Sequence, residues 1–110
     1  MRFTDDNLDL ILQGKKTQTR RMWTKPQCQV GKIYFAQSKR RRGIPIKITD
    51  MYRQKLGDIS QEEIRKEGFN TLEEFQQVWN NIYGEWNDDI TVWVVEFTPL
   101  SVEEACKTRV

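Results

Sequence analysis

The chain has 110 residues, 37% of them hydrophobic and 31% charged, with a formal net charge of +2. This balance predicts one domain over residues 1–110 with a single modest core, and no apolar run approaches the roughly 20 residues of a membrane-spanning helix. There is no histidine, and Cys28 and Cys106 are not spaced as a ligand pair; together these argue against a Cys/His zinc site and against Ser-His-Asp or Cys-His hydrolases, so any catalytic base must be a carboxylate or a lysine.

The N-terminal stretch MRFTDDNLDL lacks the basic and apolar regions of a signal peptide. The expectation is therefore a cytoplasmic protein with both cysteines reduced, no membrane partner and no cofactor. The small net charge conceals a division: residues 1–55 hold 14 Lys/Arg against 4 Asp/Glu, and residues 56–110 hold 4 against 12. Two outcomes are open: a positive face suited to a polyanion, or halves that neutralise each other across the fold.

In chain order, Thr4-Asp5-Asp6 caps a predicted helix whose apolar residues Leu8, Ile11 and Leu12 recur at spacings of three and four. Gly14 ends it, and the acidic start and Lys15-Lys16 beyond its end both complement the helix dipole. The stretch Gly14–Arg21, GKKTQTRR, then gathers four cations and two hydroxyls into eight residues. A strand is predicted over 16–22, with Thr17, Thr19 and Arg21 on one face and Gln18 and Arg20 on the other. Such a segment reads either as a solvated strand edge, its charges discouraging sheet pairing, or as one side of a nucleic-acid surface. Trp23 and a loop with Pro26 follow.

Val30-Gly31-Lys32 predicts a turn into a strand over Ile33–Gln37. A second basic cluster, Lys39-Arg40-Arg41-Arg42, is expected as a solvent-facing hairpin tip before a strand over Ile44–Tyr52, with Pro45 at a strand start or sheet edge. Ser60 and Glu63 form a capping box for a short helix closed by Gly68. Thr71 and Glu74 repeat the signal for a longer helix striped with Leu72, Phe75, Val78, Trp79 and Ile82, predicted to face the sheet. The run Ile90–Thr98 is apolar on both faces, as a central strand is. Residues 101–110 are read as an added helical turn or a frayed tail. Trp79, Trp93, Phe75 and Phe97 are expected in the core, whereas Trp23 and Tyr52 lie near cations in sequence and are candidates to stack bases.

Taken together these elements resemble a small ASCH domain, a branch of the PUA-like superfold. The segment Leu10–Gly14 running into Lys15-Lys16-Thr17-Gln18-Thr19-Arg20-Arg21 is similar to the family's helix–Gly-Lys-Lys-Thr-x-Thr-x-Arg motif. Val30-Gly31-Lys32, Glu67-Gly68, the 71–83 helix ending in a tyrosine and Val94-Val95-Glu96-Phe97 are similar in order, over about residues 3–98. The chain departs from the pattern at Lys32, where Asp is usual, at Arg20, where an aliphatic residue is frequent, and in the Arg-rich tip.

The resemblance implies an α+β fold, a mostly antiparallel β-barrel with flanking helices. It also implies nucleic-acid contact, above all with RNA, in a cleft beside the Lys-Thr-x-Thr strand. The residues expected to bind are Lys15, Lys16, Thr17, Thr19, Arg20, Arg21, Trp23, Lys39, Arg40, Arg41 and Arg42. One bacterial subgroup of similar proteins hydrolyses a modified nucleoside, N4-acetylcytidine, to cytidine and acetate, and its catalytic trio falls here on Lys16, Thr19 and Glu67. On a regular strand Lys16 and Thr19 point to opposite faces, so that chemistry requires Lys16 to precede the strand proper or a bulge to re-aim it.

Overall fold

The doubly apolar run near the C-terminus becomes the strand around which the sheet is built. In the computed structural model, which describes residues 1–41 and 43–101, the elements run α1 (Asp5–Leu12), β1 (Gln18–Arg21), β2 (Ile33–Ala36), β3 (Ile44–Lys55), a 3-10 turn (Leu56–Asp58), α2 (Gln61–Lys66), α3 (Leu72–Tyr83) and β4 (Thr91–Pro99). Arg42, Cys106 and, but for Ser101, the tail expected over 101–110 lie outside the described residues.

The four strands form one antiparallel sheet in the order β1-β4-β3-β2. β4 is therefore central, and its alternation explains its double apolarity. Val95 and Phe97 join Phe3, Leu8, Ile11, Cys28, Ile46 and Ile48 in one core; Val92 and Val94 join Leu56, Phe75 and Trp79 in a second, on the opposite face. Trp93 is half-buried, with the Arg53 guanidinium 5.5 Å from its ring. Pro45 sits at the second residue of β3, close to the strand start expected of it.

The sheet curls into half a barrel, and the N-terminal residues lie along its open side. Phe3 N–H donates to Gln37 C=O (2.8 Å), Gln37 N–H to Met1 C=O (2.9 Å), and the Met1 ammonium to Phe35 C=O (2.8 Å). From the other edge, Arg21 Nη2 donates to Arg2 C=O (2.7 Å). This is the antiparallel, barrel-like α+β architecture that the sequence predicts.

The helices begin where their caps dictate. Thr4, Ser60 and Thr71 side chains each accept from the main-chain N–H three residues on, and Glu63 completes the capping box by accepting from Ser60 N–H. Two apolar stripes are only partly used. In α1, Leu8 and Ile11 are buried but Leu12 is 60% exposed; in α3, Phe75 and Trp79 reach the core while Ile82 stays in the open. Neither core reaches the last residue of its stripe, and Ile82 instead borders a cavity with Val78 and Tyr83.

Trp79 is the largest side chain in the second core, with Phe75 and Trp86 rings about its own. Trp79→Ala should cost about 3–5 kcal/mol of stability, whereas Leu12→Ala should fall within about 0.5 kcal/mol of the parent. Urea unfolding followed by circular dichroism measures both.

Candidate functional site

The basic strand is not a solvated edge. Lys16, Gln18, Thr19 and Arg20 are all buried, and so is Glu67, which is 2% exposed. This corrects the reading of Gly14–Arg21 as a solvated strand edge. Charged groups leave water only when paired and hydrogen-bonded, and the partners come from α2.

Lys16 Nζ donates to Glu67 Oε1 (2.9 Å) and to the Glu67 carbonyl (3.1 Å). Arg20 forks across the site. Its Nη1 donates to Glu67 Oε2 (2.8 Å) and Gln18 Oε1 (2.6 Å), and its Nη2 to Glu63 Oε2 (2.7 Å) and Gln54 Oε1 (2.8 Å). Tyr52 donates its hydroxyl to Glu63 Oε2 (3.1 Å) and accepts from Gln18 Nε2 (3.3 Å). Two cations and two carboxylates thus compensate one another, and every oxygen of Glu63 and Glu67 accepts at least one bond.

Local structure makes this possible. Gly14, at φ +74°, turns the chain after α1, and the Lys15 and Lys16 N–H groups both close onto Leu10 C=O. β1 begins only at Gln18, so Lys16 precedes the strand and is free of its alternation. That meets the geometric condition set above: Lys16, Thr19 and Glu67 line one cavity. Glu67 is the C-cap residue of α2, and the next residue, Gly68 at φ +100°, lies so close to Leu10 that a Cβ there would meet Leu10 Cδ1 at 2.9 Å. Glycine suits this position chiefly because of its positive φ, which L side chains rarely adopt.

The environment also sets protonation. Burial pushes the Lys16 ammonium below its ordinary pKa; Glu67 opposes this, while Arg21 and Arg20 reinforce it. Burial raises Glu63, but the Ser60 main-chain N–H, Gln54 and Arg20 outweigh it and hold the carboxyl below its ordinary value. Glu63 thus contributes stability above the usual carboxylate range, lost as pH falls through its lowered pKa.

The cavity measures about 320 Å³. Its floor carries Lys16, Thr19, Arg20 and Glu67, its rim Arg2 and Arg21, and its wall the aromatic side of α3 with Phe75, Trp79 and Tyr83. The Tyr83 ring lies 4.3 Å from that of Trp79, tilted by 39°, and Tyr83 is 41% exposed. Arg21 holds Thr19 Oγ1 through Nε (3.2 Å) and its guanidinium lies 4.6 Å from the Phe3 ring centre.

Other expected residues lie elsewhere. Lys15 is exposed outside the cavity, and Thr17 is held by Lys66 C=O (2.8 Å) and Phe97 N–H (3.0 Å). Trp23 packs against the first core rather than the cavity, and Tyr52 is engaged by Glu63. At the hairpin tip Lys39 and Arg40 are exposed, but Arg41 donates to Asp9 Oδ1 (2.6 Å) and to Asp5 C=O (3.3 Å). Sequence reasoning missed the aromatic wall, Glu63 and Gln54. The α3 stripe carried a signal for the wall, since it runs on to Ile82 and Tyr83 beyond the reach of the core.

The model of the ASCH domain matches residues 2–101. The chain belongs to the ASCH domain family. Its curled sheet and three helices are the PUA-like α+β fold. Similar solved structures share that fold at low identity. The ASCH domain from Lactobacillus crispatus JV V101 has a TM-score of 0.74 at 19% identity, over 86% of this chain and 70% of that one. The hypothetical protein PH0355 has 0.70 at 20%, over 91% and 96%. Protein EF3133 from Enterococcus faecalis V583 has 0.64 at 15%, over 84% and 68%. No curated protein matches the chain.

Tyr52 reports on the network. Burial, and then the Glu63 charge and hydrogen bond, push its pKa up from 10.0 to about 12. Between those values this ASCH domain binds more protons folded than unfolded, so the Tyr52 contribution to stability falls as pH rises through that window. Near-ultraviolet absorbance should show a phenolate transition close to pH 12 that Tyr52→Phe removes.

Proposed function

We propose that this ASCH domain binds RNA by taking one unstacked base into the cavity over Lys16, Thr19 and Glu67. The observation that carries this reading is an aromatic wall facing buried hydrogen-bonding groups in a cavity of about 320 Å³, the low end of the range for small-ligand sites. Single-stranded RNA is recognised by that combination: a base is splayed out, stacked on an aromatic ring and hydrogen-bonded along its edge. Tyr83 offers the stacking face. Because Lys16 and Arg20 are spent on Glu67 and Glu63, phosphate contact falls to the exposed Arg2 and Lys15, to Arg21 at the rim, and to Lys39 and Arg40 on the hairpin tip.

A second reading is favoured by the sharing of one cavity by Lys16, Thr19 and Glu67: hydrolysis of N4-acetylcytidine. Thr19 Oγ would attack the amide carbonyl while a neutral Lys16 takes its proton. Lys16 would then hand that proton to N4 as the C–N bond breaks, leaving cytidine and an acetyl ester on Thr19. Water, deprotonated by Lys16, would release acetate and restore the hydroxyl. Glu67 accepts from two cations, so its part is to orient Lys16. The depressed Lys16 pKa favours the neutral amine this chemistry needs.

Two measurements test these readings. In fluorescence anisotropy with single-stranded RNA, Tyr83→Ala should weaken binding by roughly 5- to 100-fold, the worth of one stacked base. Replacing Lys39 and Arg40 by Ala should reduce the salt slope by about 1–2. Unchanged affinity in both variants would refute the RNA reading. Incubation with N4-acetylcytidine should yield cytidine and acetate if the second reading holds, with Lys16→Ala and Thr19→Ala each losing nearly all turnover, since a nucleophile and its base act as a unit. No turnover in the parent eliminates it.

A further inference from the structure

Arg20 lines the cavity although its side chain is withdrawn from it. The guanidinium is directed at Glu63, Glu67, Gln18 and Gln54, and the side chain is 0% exposed. The residue as a whole is 4% exposed and borders the cavity. What it shows to the cavity is therefore main chain.

The strand register gives the direction of those main-chain groups. Thr17 C=O accepts from Phe97 N–H (3.0 Å), and the pairing continues without a break from Gln18↔Glu96 to Arg21↔Trp93. In an antiparallel ladder, residues alternate between turning both main-chain groups toward the partner strand and turning both away. Thr19 and Arg21 thus face β4, and Gln18 and Arg20 face outward. β1 is the edge of the sheet, and among the described residues no main-chain bond engages Arg20 on that outer side. A free edge elsewhere would invite another strand. Here the strand is four residues long and α1 and α3 flank the cavity beside it, leaving room for a ring and not for a chain.

We infer that the main-chain N–H and C=O of Arg20 read the donor–acceptor edge of the base bound in the cavity, with the N–H donating to a ring nitrogen and the C=O accepting from an amino group. This rests on the reading that the cavity takes a nucleobase. An N–H and a C=O from one extended residue point the same way, side by side. Cytosine presents the complementary pair, N3 as acceptor beside the N4 amino group as donor. Rigidity comes from the ion pairs: the Arg20 side chain, held by two carboxylates, anchors the strand segment whose main chain faces the ligand.

The test uses the ¹⁵N-labelled full chain with cytidine and 3-deazacytidine, which lacks the N3 acceptor. Cytidine should move the Arg20 amide proton downfield and slow its exchange with solvent, and 3-deazacytidine should bind about tenfold more weakly, because a buried donor is left unmet. If cytidine perturbs Trp79 and Tyr83 resonances while the Arg20 amide stays put, the inference is overturned and the base-binding reading stands. A weaker 3-deazacytidine with an unmoved Arg20 amide would assign N3 to Lys16 instead, also overturning it. If neither nucleoside perturbs any cavity resonance, the base-binding reading fails and this inference with it.

Discussion

The structure depends on keeping Glu67 in the interior with a cation on each of its oxygens. A carboxylate taken from water costs several kcal/mol, and so does each cation beside it; close pairing and hydrogen bonding offset that cost, although Arg20 Nε is buried with no partner among the described residues. Lys16 and Arg20 meet the two oxygens at 2.9 and 2.8 Å. Because Arg20 also binds Glu63 and Gln54, the start of β1, both ends of α2 and the far half of β3 are held in one arrangement. A shift of any of them would leave a charge unpaired, which is more costly than losing an apolar contact. The network therefore adds little net stability over an apolar core of equal volume but strongly constrains where α2 can sit.

This settles how the charge division between the two halves is used at the cavity. Lys16 and Arg20 from the basic half meet Glu63 and Glu67 from the acidic half, so part of the asymmetry is neutralisation across the fold. Arg41 is spent within its own half, on Asp9. The cations that remain exposed are fewer than the sequence suggests, and include Arg2, Lys15, Lys39 and Arg40.

What was legible in the sequence was local or periodic. Thr4, Ser60 and Thr71 announce helix starts because a cap needs only the next three residues, and the Ile90–Thr98 run announces a central strand because both its faces are apolar. The burial of Lys16 and Arg20 was not legible, since their partner lies 51 and 47 residues away and nothing near β1 distinguishes a paired cation from a solvated one. The departure at Arg20 was the one available hint: a charge at a position where an aliphatic residue is frequent needs a partner. The cavity wall was half legible, for periodicity marks the apolar side of α3 and does not say which of its residues meet the core and which line a cavity.

The same arrangement bears on the two functional readings through one proton. As an ammonium, Lys16 is a donor to Glu67 and would suit recognition of a base; as an amine, on the hydrolase reading, it would be the base that activates Thr19. Burial lowers the pKa of Lys16 and Glu67 raises it, so the carboxylate that permits the lysine to be buried also opposes its becoming a catalyst. A ligand that drew Glu67 away from Lys16, or excluded the remaining water, would weaken that opposition and favour the amine. Rising pH acts in the same direction, toward chemistry and away from a charged contact. On the two proposed readings the same cavity would serve both ligands, a base with Lys16 as ammonium and an acetylated nucleoside with Lys16 as amine. Arg20, which shares Glu67 with Lys16, would bear on the balance between them.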